Sequence, residues 1–122
     1  MKKINLYLLS TSFLLFAFLP FNHSMVGHWV SYGPDQSKVF IDFNKDGTFK
    51  VTAGSQTENE GRYEFKNDTF SMYDKNCGLN ICGKYKITFH NNDSASFAVI
   101  EDPCRERADE VNKGIINRLN SK

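Results

Sequence analysis

Downstream of residue 26 the chain runs in short stretches where apolar and polar residues alternate, the period of a sheet with one dry and one wet face. In 83–89 (GKYKITF), Tyr85, Ile87 and Phe89 share one face while Lys84, Lys86 and Thr88 share the other. In 60–66 (EGRYEFK), Tyr63 and Phe65 alternate with Arg62, Glu64 and Lys66. The same reading predicts strands at 27–32, 38–43, 48–53, 69–73 and 94–100. Turn formers separate them: Gly33-Pro34-Asp35, Asn44-Lys45-Asp46-Gly47, Asn67-Asp68 and Asn91-Asn92-Asp93. Seven short strands on short turns predict an all-β, up-and-down antiparallel meander, the signature of a small barrel or sandwich.

Towards the C-terminus the period changes. Asp102-Pro103 reads as a helix start, with proline at the first helical position. Cys104, Ala108, Val111, Ile115 and Leu119 then form one apolar stripe, so a short amphipathic helix is expected to lie on the barrel. Gly114 is placed to end its regular part early.

The N-terminus has a third pattern. Lys2 and Lys3 form a positive head, Leu6 to Leu19 is almost wholly apolar, and Pro20 and the small Ser24 follow. This is the layout of a secretory signal over residues 1–24, and the run is short of the ~20 apolar residues that a membrane-spanning helix needs. The chain is therefore read as exported, periplasmic or extracellular, with a single domain at 25–122 and no membrane span once the signal is cut. Two of the 15 Lys and Arg leave with the signal, which turns a formal net charge of +1 into about −1. So balanced a surface offers no field for a phosphate backbone, and nucleic acid is excluded as an expected partner.

Export also bears on Cys77, Cys82 and Cys104, because disulfides persist outside the cytoplasm and a domain of about a hundred residues gains from a staple. In a hairpin of 83–89 with 94–100, Cys82 and Cys104 emerge at one end of the sheet, and the loop holding Cys77 lies there too. A bridge from Cys104 to Cys77 or Cys82 would pin the helix to that loop and stabilise by ~3 kcal/mol. The spacing leaves both pairings open. Cys-x4-Cys is not the Cys-x-x-Cys of redox enzymes, and no histidine-rich set completes a zinc site.

Other candidates for chemistry are weak. Asp42-Phe43-Asn44-Lys45-Asp46-Gly47-Thr48 matches the first half of a calcium loop, but Ala53 stands where the bidentate glutamate belongs, so a hairpin turn is expected. His28 and His90 have no nucleophile at a recognisable spacing, and no G-x-S-x-G is present. No catalytic residue, metal or cofactor is expected. Asn67-Asp68-Thr69 and Asn92-Asp93-Ser94 read as turns before they read as glycosylation sites. The alternation places Val39, Ile41, Phe43, Phe49, Val51, Tyr63, Phe65, Phe70, Met72, Tyr85, Ile87, Phe89, Phe97 and Val99 inside a closed sheet, as a packed core or around a shallow cup.

The order of the pieces resembles small exported bacterial lipocalin-like domains. Gly27-His28-Trp29 is the G-x-W of lipocalins; Phe43-Asn44-Lys45-Asp46-Gly47-Thr48-Phe49, Gly61-Arg62-Tyr63, the Cys77 loop, Gly83-Lys84-Tyr85 and Asp102-Pro103-Cys104-Arg105-Glu106-Arg107 follow. The resemblance implies a lipocalin-like barrel of seven or eight strands, antiparallel at its closure if eight. It also implies that Trp29 plugs one barrel end with a late arginine packed across it, by position Arg107. Its expected function is non-enzymatic binding of a small apolar ligand, in a cup lined by Ile41, Phe43, Phe49, Tyr63, Phe65, Tyr85 and Phe97. The alternative is an envelope or host-facing protein-interaction or inhibitor module that uses loops at one barrel end. Phe40, pointing outward beside Asp42, and the Cys77–Cys82 loop would then form its contact surface.

Overall fold

The structure, a computed structural model, describes residues 23–33 and 35–119. The predicted signal, as far as residue 22, lies outside the described residues, as does Pro34 of the first turn. Eight strands and one helix follow in order: β1 (Gly27–Tyr32), β2 (Lys38–Phe43), β3 (Thr48–Ala53), β4 (Gln56–Lys66), β5 (Thr69–Asp74), β6 (Gly78–Asn91), β7 (Ser94–Glu101), α1 (Arg105–Val111) and β8 (Ile115–Arg118). Each strand pairs antiparallel with the next, and β8 pairs antiparallel with β1, so the sheet is a closed up-and-down barrel. Closure leaves no edge strand to pair with another chain.

The seven expected strands are all present. The even number comes from the eighth, which takes Ile115 to Arg118 out of the apolar stripe expected on the helix, while the helix itself is short, as expected. α1 stops at Val111 because Lys113 takes a positive φ of 63° and its amide turns to the Phe97 carbonyl at 2.9 Å. Gly114 donates to Val111 O and accepts from the Phe97 amide, which hands the chain back to the sheet. Ile116 then faces inward, 3 % exposed, while Ile115 faces solvent at 53 %. β-branched neighbours of this kind pack well on a pleated surface and less well on a helix.

Alternation sorts the side chains as expected along most of the barrel. Phe43, Phe49, Tyr63, Phe70, Met72, Tyr85, Ile87 and Phe97 are buried in one cluster with Trp29 and Met25, and Ile41, Val51, Phe65 and Phe89 pack partly buried against it. Val99 departs from the pattern. It lies at the rim near a register shift in the β6–β7 pairing and is 39 % exposed. Two turns behave as their residues suggest. Asn67 and Asp68 both take positive φ, the geometry a tight hairpin wants. In the half calcium loop Asp46 accepts from the amide and hydroxyl of Thr48, at 2.9 and 2.6 Å, which makes it a turn-closing residue.

The two barrel ends are built differently. At the end where β1 begins, Trp29 is fully buried and its indole N–H donates to Met25 O at 2.8 Å. The cation across that indole is Arg118, 4.2 Å from the ring centroid, and not Arg107. The reason is parity. The eighth strand carries the chain back to the end where the first began, whereas Arg107 sits on α1 at the opposite end, where Cys77 and Cys104 are bonded. That bridge chooses Cys77 over Cys82, which keeps its thiol.

Candidate functional site

Both regions that the sequence offers for binding lie at the disulfide end. The first is an apolar cup inside the barrel, with a cavity of about 120 Å³. Ile41, Phe43, Phe49 and Phe97 line it as expected, joined by Val51, Phe70, Met72 and Ile116. At its mouth stand Ser31, Gly114 and, from the end of α1, Glu110 and Val111. The other three candidates point inward but are spent elsewhere. The Tyr63 hydroxyl donates to Asn44 O at 2.8 Å. Phe65 packs against Phe89, 6.0 Å between centroids, towards the tryptophan end. Tyr85 turns its hydroxyl onto Asp102. Much of the remaining interior is filled by aromatic contacts, including Phe43 on Tyr63 at 4.9 Å and Phe70 on Phe97 at 5.4 Å.

The second region is the segment after Cys77. Met72 pairs with Gly83 and Asp74 with Gly78, so Leu79, Asn80, Ile81 and Cys82 together oppose Tyr73 alone. An excess of residues on one strand forces a bulge that throws its side chains outward. Leu79 and Ile81 are 46 % and 38 % exposed there. The main chain beneath them is nevertheless held at several points. Arg62, which lies over the Tyr73 ring at 4.5 Å, donates to Leu79 O at 3.2 Å. Arg107 donates to Ile81 O at 3.0 Å, the Cys77 amide donates to Asp74 at 2.7 Å, and the disulfide ties Cys77 to the residue preceding α1. The outward residue Phe40 contributes less than expected to such a surface, because it is half-buried opposite Val30 and Thr52.

Arg107 organises this end. It is 4 % exposed and lies between two buried carboxylates, donating from Nε and Nη2 to Asp102 at 2.7 and 2.8 Å and from Nη1 to Asp74 at 3.3 Å. Burial works against the Asp102 carboxylate. The hydrogen bonds from Arg107, Tyr85 and the Cys104 amide outweigh it and hold its pKa below the usual range. Burial, and then the bond to Asp102, push the Tyr85 phenol up. The cluster leaves no room behind it. A Cβ on Gly83 would stand 2.5 Å from Asp102 Oδ2 and 2.9 Å from Arg107 Nε, so only glycine fits beside the ion pair. The cluster is not legible in the sequence: Asp74 falls just past the strand expected at 69–73, and Asp102 reads as a helix start.

Among the described residues one serine lies beside a histidine. The Ser96 hydroxyl lies 3.0 Å from His90 Nε2, but both sit on the exposed outer wall, and no carboxylate orients the imidazole among the described residues. No group of three or more His, Cys, Asp or Glu is placed to hold a metal ion among the described residues. No described helix is long and apolar enough to cross a membrane. No protein-family model, curated protein or solved structure matches the chain. The eight-stranded antiparallel barrel is compatible with the lipocalin-like resemblance at the level of architecture.

Proposed function

We propose that this domain is a non-enzymatic, exported protein-interaction module that engages a folded partner through the Leu79–Cys82 bulge. The observation that carries the reading is the contrast within that bulge: apolar side chains left in solvent on a main chain clamped by a disulfide and two arginines. A segment already held in its binding conformation loses little entropy on association, and this makes two exposed apolar residues worth displaying. Inhibitory binding to a concave surface is one form such an interaction takes. Export supplies the oxidising compartment that the Cys77–Cys104 bond requires.

The test is native mass spectrometry of the protein purified from its own envelope, alongside a Leu79→Asp/Ile81→Asp variant. A protein that travels with the wild type and is lost with the variant supports the reading. A truncated or charged anchor weakens such complexes by roughly 10–100-fold. Retention of a small molecule by both forms, with no protein, overturns it.

The cup supports a second reading, capture of a small apolar molecule. Its 120 Å³ is well below the ~300 Å³ of ordinary ligand pockets and close to cavities that admit one benzene-sized ring. On this reading the ligand is a single ring or short acyl tip. Raised melting temperatures with indole or benzene, abolished by a cup-filling Val51→Trp, would support it.

A further inference from the structure

The apolar cup carries two polar side chains, Ser31 and Glu110, both at its mouth. Neither leaves a donor free there. The Ser31 hydroxyl donates to Ile115 O at 3.1 Å, so what remains on its oxygen is acceptor capacity. An ionised glutamate only accepts. Glu110 is exposed and joins no ion pair among the described residues. The Gly114 amide, the main-chain donor of the same rim, is taken by Val111 O at 2.9 Å. An apolar chamber of about 120 Å³ thus opens through a rim that accepts hydrogen bonds and offers none from these groups.

The charge at the rim has one sign. Glu106, Asp109 and Glu110 stand exposed on α1, whose last turn holds no basic residue. The cations of the same segment are placed elsewhere. Arg107 is spent on Asp74 and Asp102, and neither Arg105 nor Lys113 lines the cavity. A carboxylate or phosphate head group would therefore meet repulsion and no donor. An ammonium brings three donors and a positive charge to a place that lacks both.

We propose that the cup selects small primary amines, holding one apolar ring in the cavity with the ammonium on a short tether against Glu110 and Ser31 Oγ. The proposal rests on the reading of the cup as a capture site, and adds the head group that the rim admits. Water still reaches Glu110, so the preference over an uncharged isostere is modest, about 2–5-fold.

The experiment is a titration of the isotope-labelled protein, followed by amide chemical shifts, with three ligands that share one ring. They are 2-phenylethylamine, the neutral 2-phenylethanol and the anion 3-phenylpropionate. The amine should bind about 2–5-fold more tightly than the alcohol, and the anion most weakly. Glu110→Gln should bring the amine to the alcohol's affinity and leave the alcohol unchanged. Raising salt from about 0.02 M to about 0.5 M should shrink the same preference. Val51→Trp, which fills the cup, should abolish binding of all three. Equal binding of the three ligands, or tightest binding of the anion, overturns the amine selection while the capture reading stands. A preference for the amine that survives Glu110→Gln overturns it as well. If no ring binds, or if binding survives Val51→Trp, both readings fall.

Discussion

Each end of the barrel is organised by an arginine, and the two arginines work by different physics. Arg107 at the disulfide end is 3 % exposed in its side chain, and its charge is compensated by Asp74 and Asp102, each fully buried. Arg118 at the tryptophan end is 24 % exposed and lies flat on Trp29. It spends its donors on main-chain carbonyls of Ser24, Val26 and Asn92, and its counter-charge is the exposed Asp93 carboxylate, 3.7 Å from Nε. A buried charge is tolerated only with its counter-charges, so Arg107 and its carboxylates stand or fall together. A partly exposed guanidinium keeps some of its water, and its stacking, hydrogen bonds and solvent-screened ion pair with Asp93 each add little. The tryptophan end is a plug; the disulfide end is a frame, and the frame holds Leu79 and Ile81 in solvent on a clamped main chain.

The comparison predicts unequal costs. Arg107→Ala should destabilise by about 3–5 kcal/mol in urea unfolding, because it strands two buried carboxylates. A loss under 1 kcal/mol would mean that the cluster holds nothing. Next comes the disulfide. Cys104→Ser opens a bridge that spans 27 residues and should cost about 3 kcal/mol on the loop-closure account. Arg118→Ala should cost about 1–2 kcal/mol, the sum of a cation–π contact and of main-chain acceptors returned to water. An Arg118→Ala loss equal to that of Arg107→Ala would erase the distinction between plug and frame.

The frame also confers a pH dependence. The Asp102 carboxyl is held below its ordinary range, so the unfolded chain takes up its proton at a higher pH than the folded one. Its contribution is complete above about pH 4–5 and is lost as pH falls. The Tyr85 phenol is raised, so its contribution is complete below about pH 10 and is lost as pH climbs further, when the unfolded phenol ionises first. Unfolding followed across pH should therefore show a plateau with two falling limbs. Asp102→Asn should flatten the acid limb; if it leaves that limb unchanged, other carboxylates set it.

Much of this architecture could be read from period-two alternation, which decides inward from outward without any knowledge of the partner strand. β1 to β7 follow from it. β8 does not, because four residues hold too few repeats to show a period, and Ile115 and Leu119 fit a helical stripe equally well. Without that strand Arg118 falls at the disulfide end, so only the lipocalin-like resemblance supplies a partner for Trp29, and by position it points to Arg107. The cup shows a second limit. Ile41, Phe43, Phe49 and Phe97 line it, whereas Tyr63, Phe65 and Tyr85 are inward but at other depths or with other partners. Alternation reports the side of the wall and not the height along the axis, which depends on register shifts such as the one between Met72 and Asp74. The ion cluster was hidden for the same reason, because Asp74 and Asp102 meet only once that register is known.

The smallest predicted effect is the most telling for function. If the frame exists to hold the bulge, its stability must reside in the main-chain contacts and not in the side chains displayed. Arg62 and Arg107 grip carbonyls, and the disulfide and the Asp74–Cys77 bond fix the start of the segment. None of these uses the Leu79 or Ile81 side chain. Leu79→Asp/Ile81→Asp should therefore leave the unfolding free energy within about 0.5 kcal/mol of wild type, as surface substitutions do. A loss of 2 kcal/mol or more would show that these residues pack on their own barrel, and the bulge would then be a structural element with nothing to offer a partner. Wild-type stability together with a lost complex would separate display from packing.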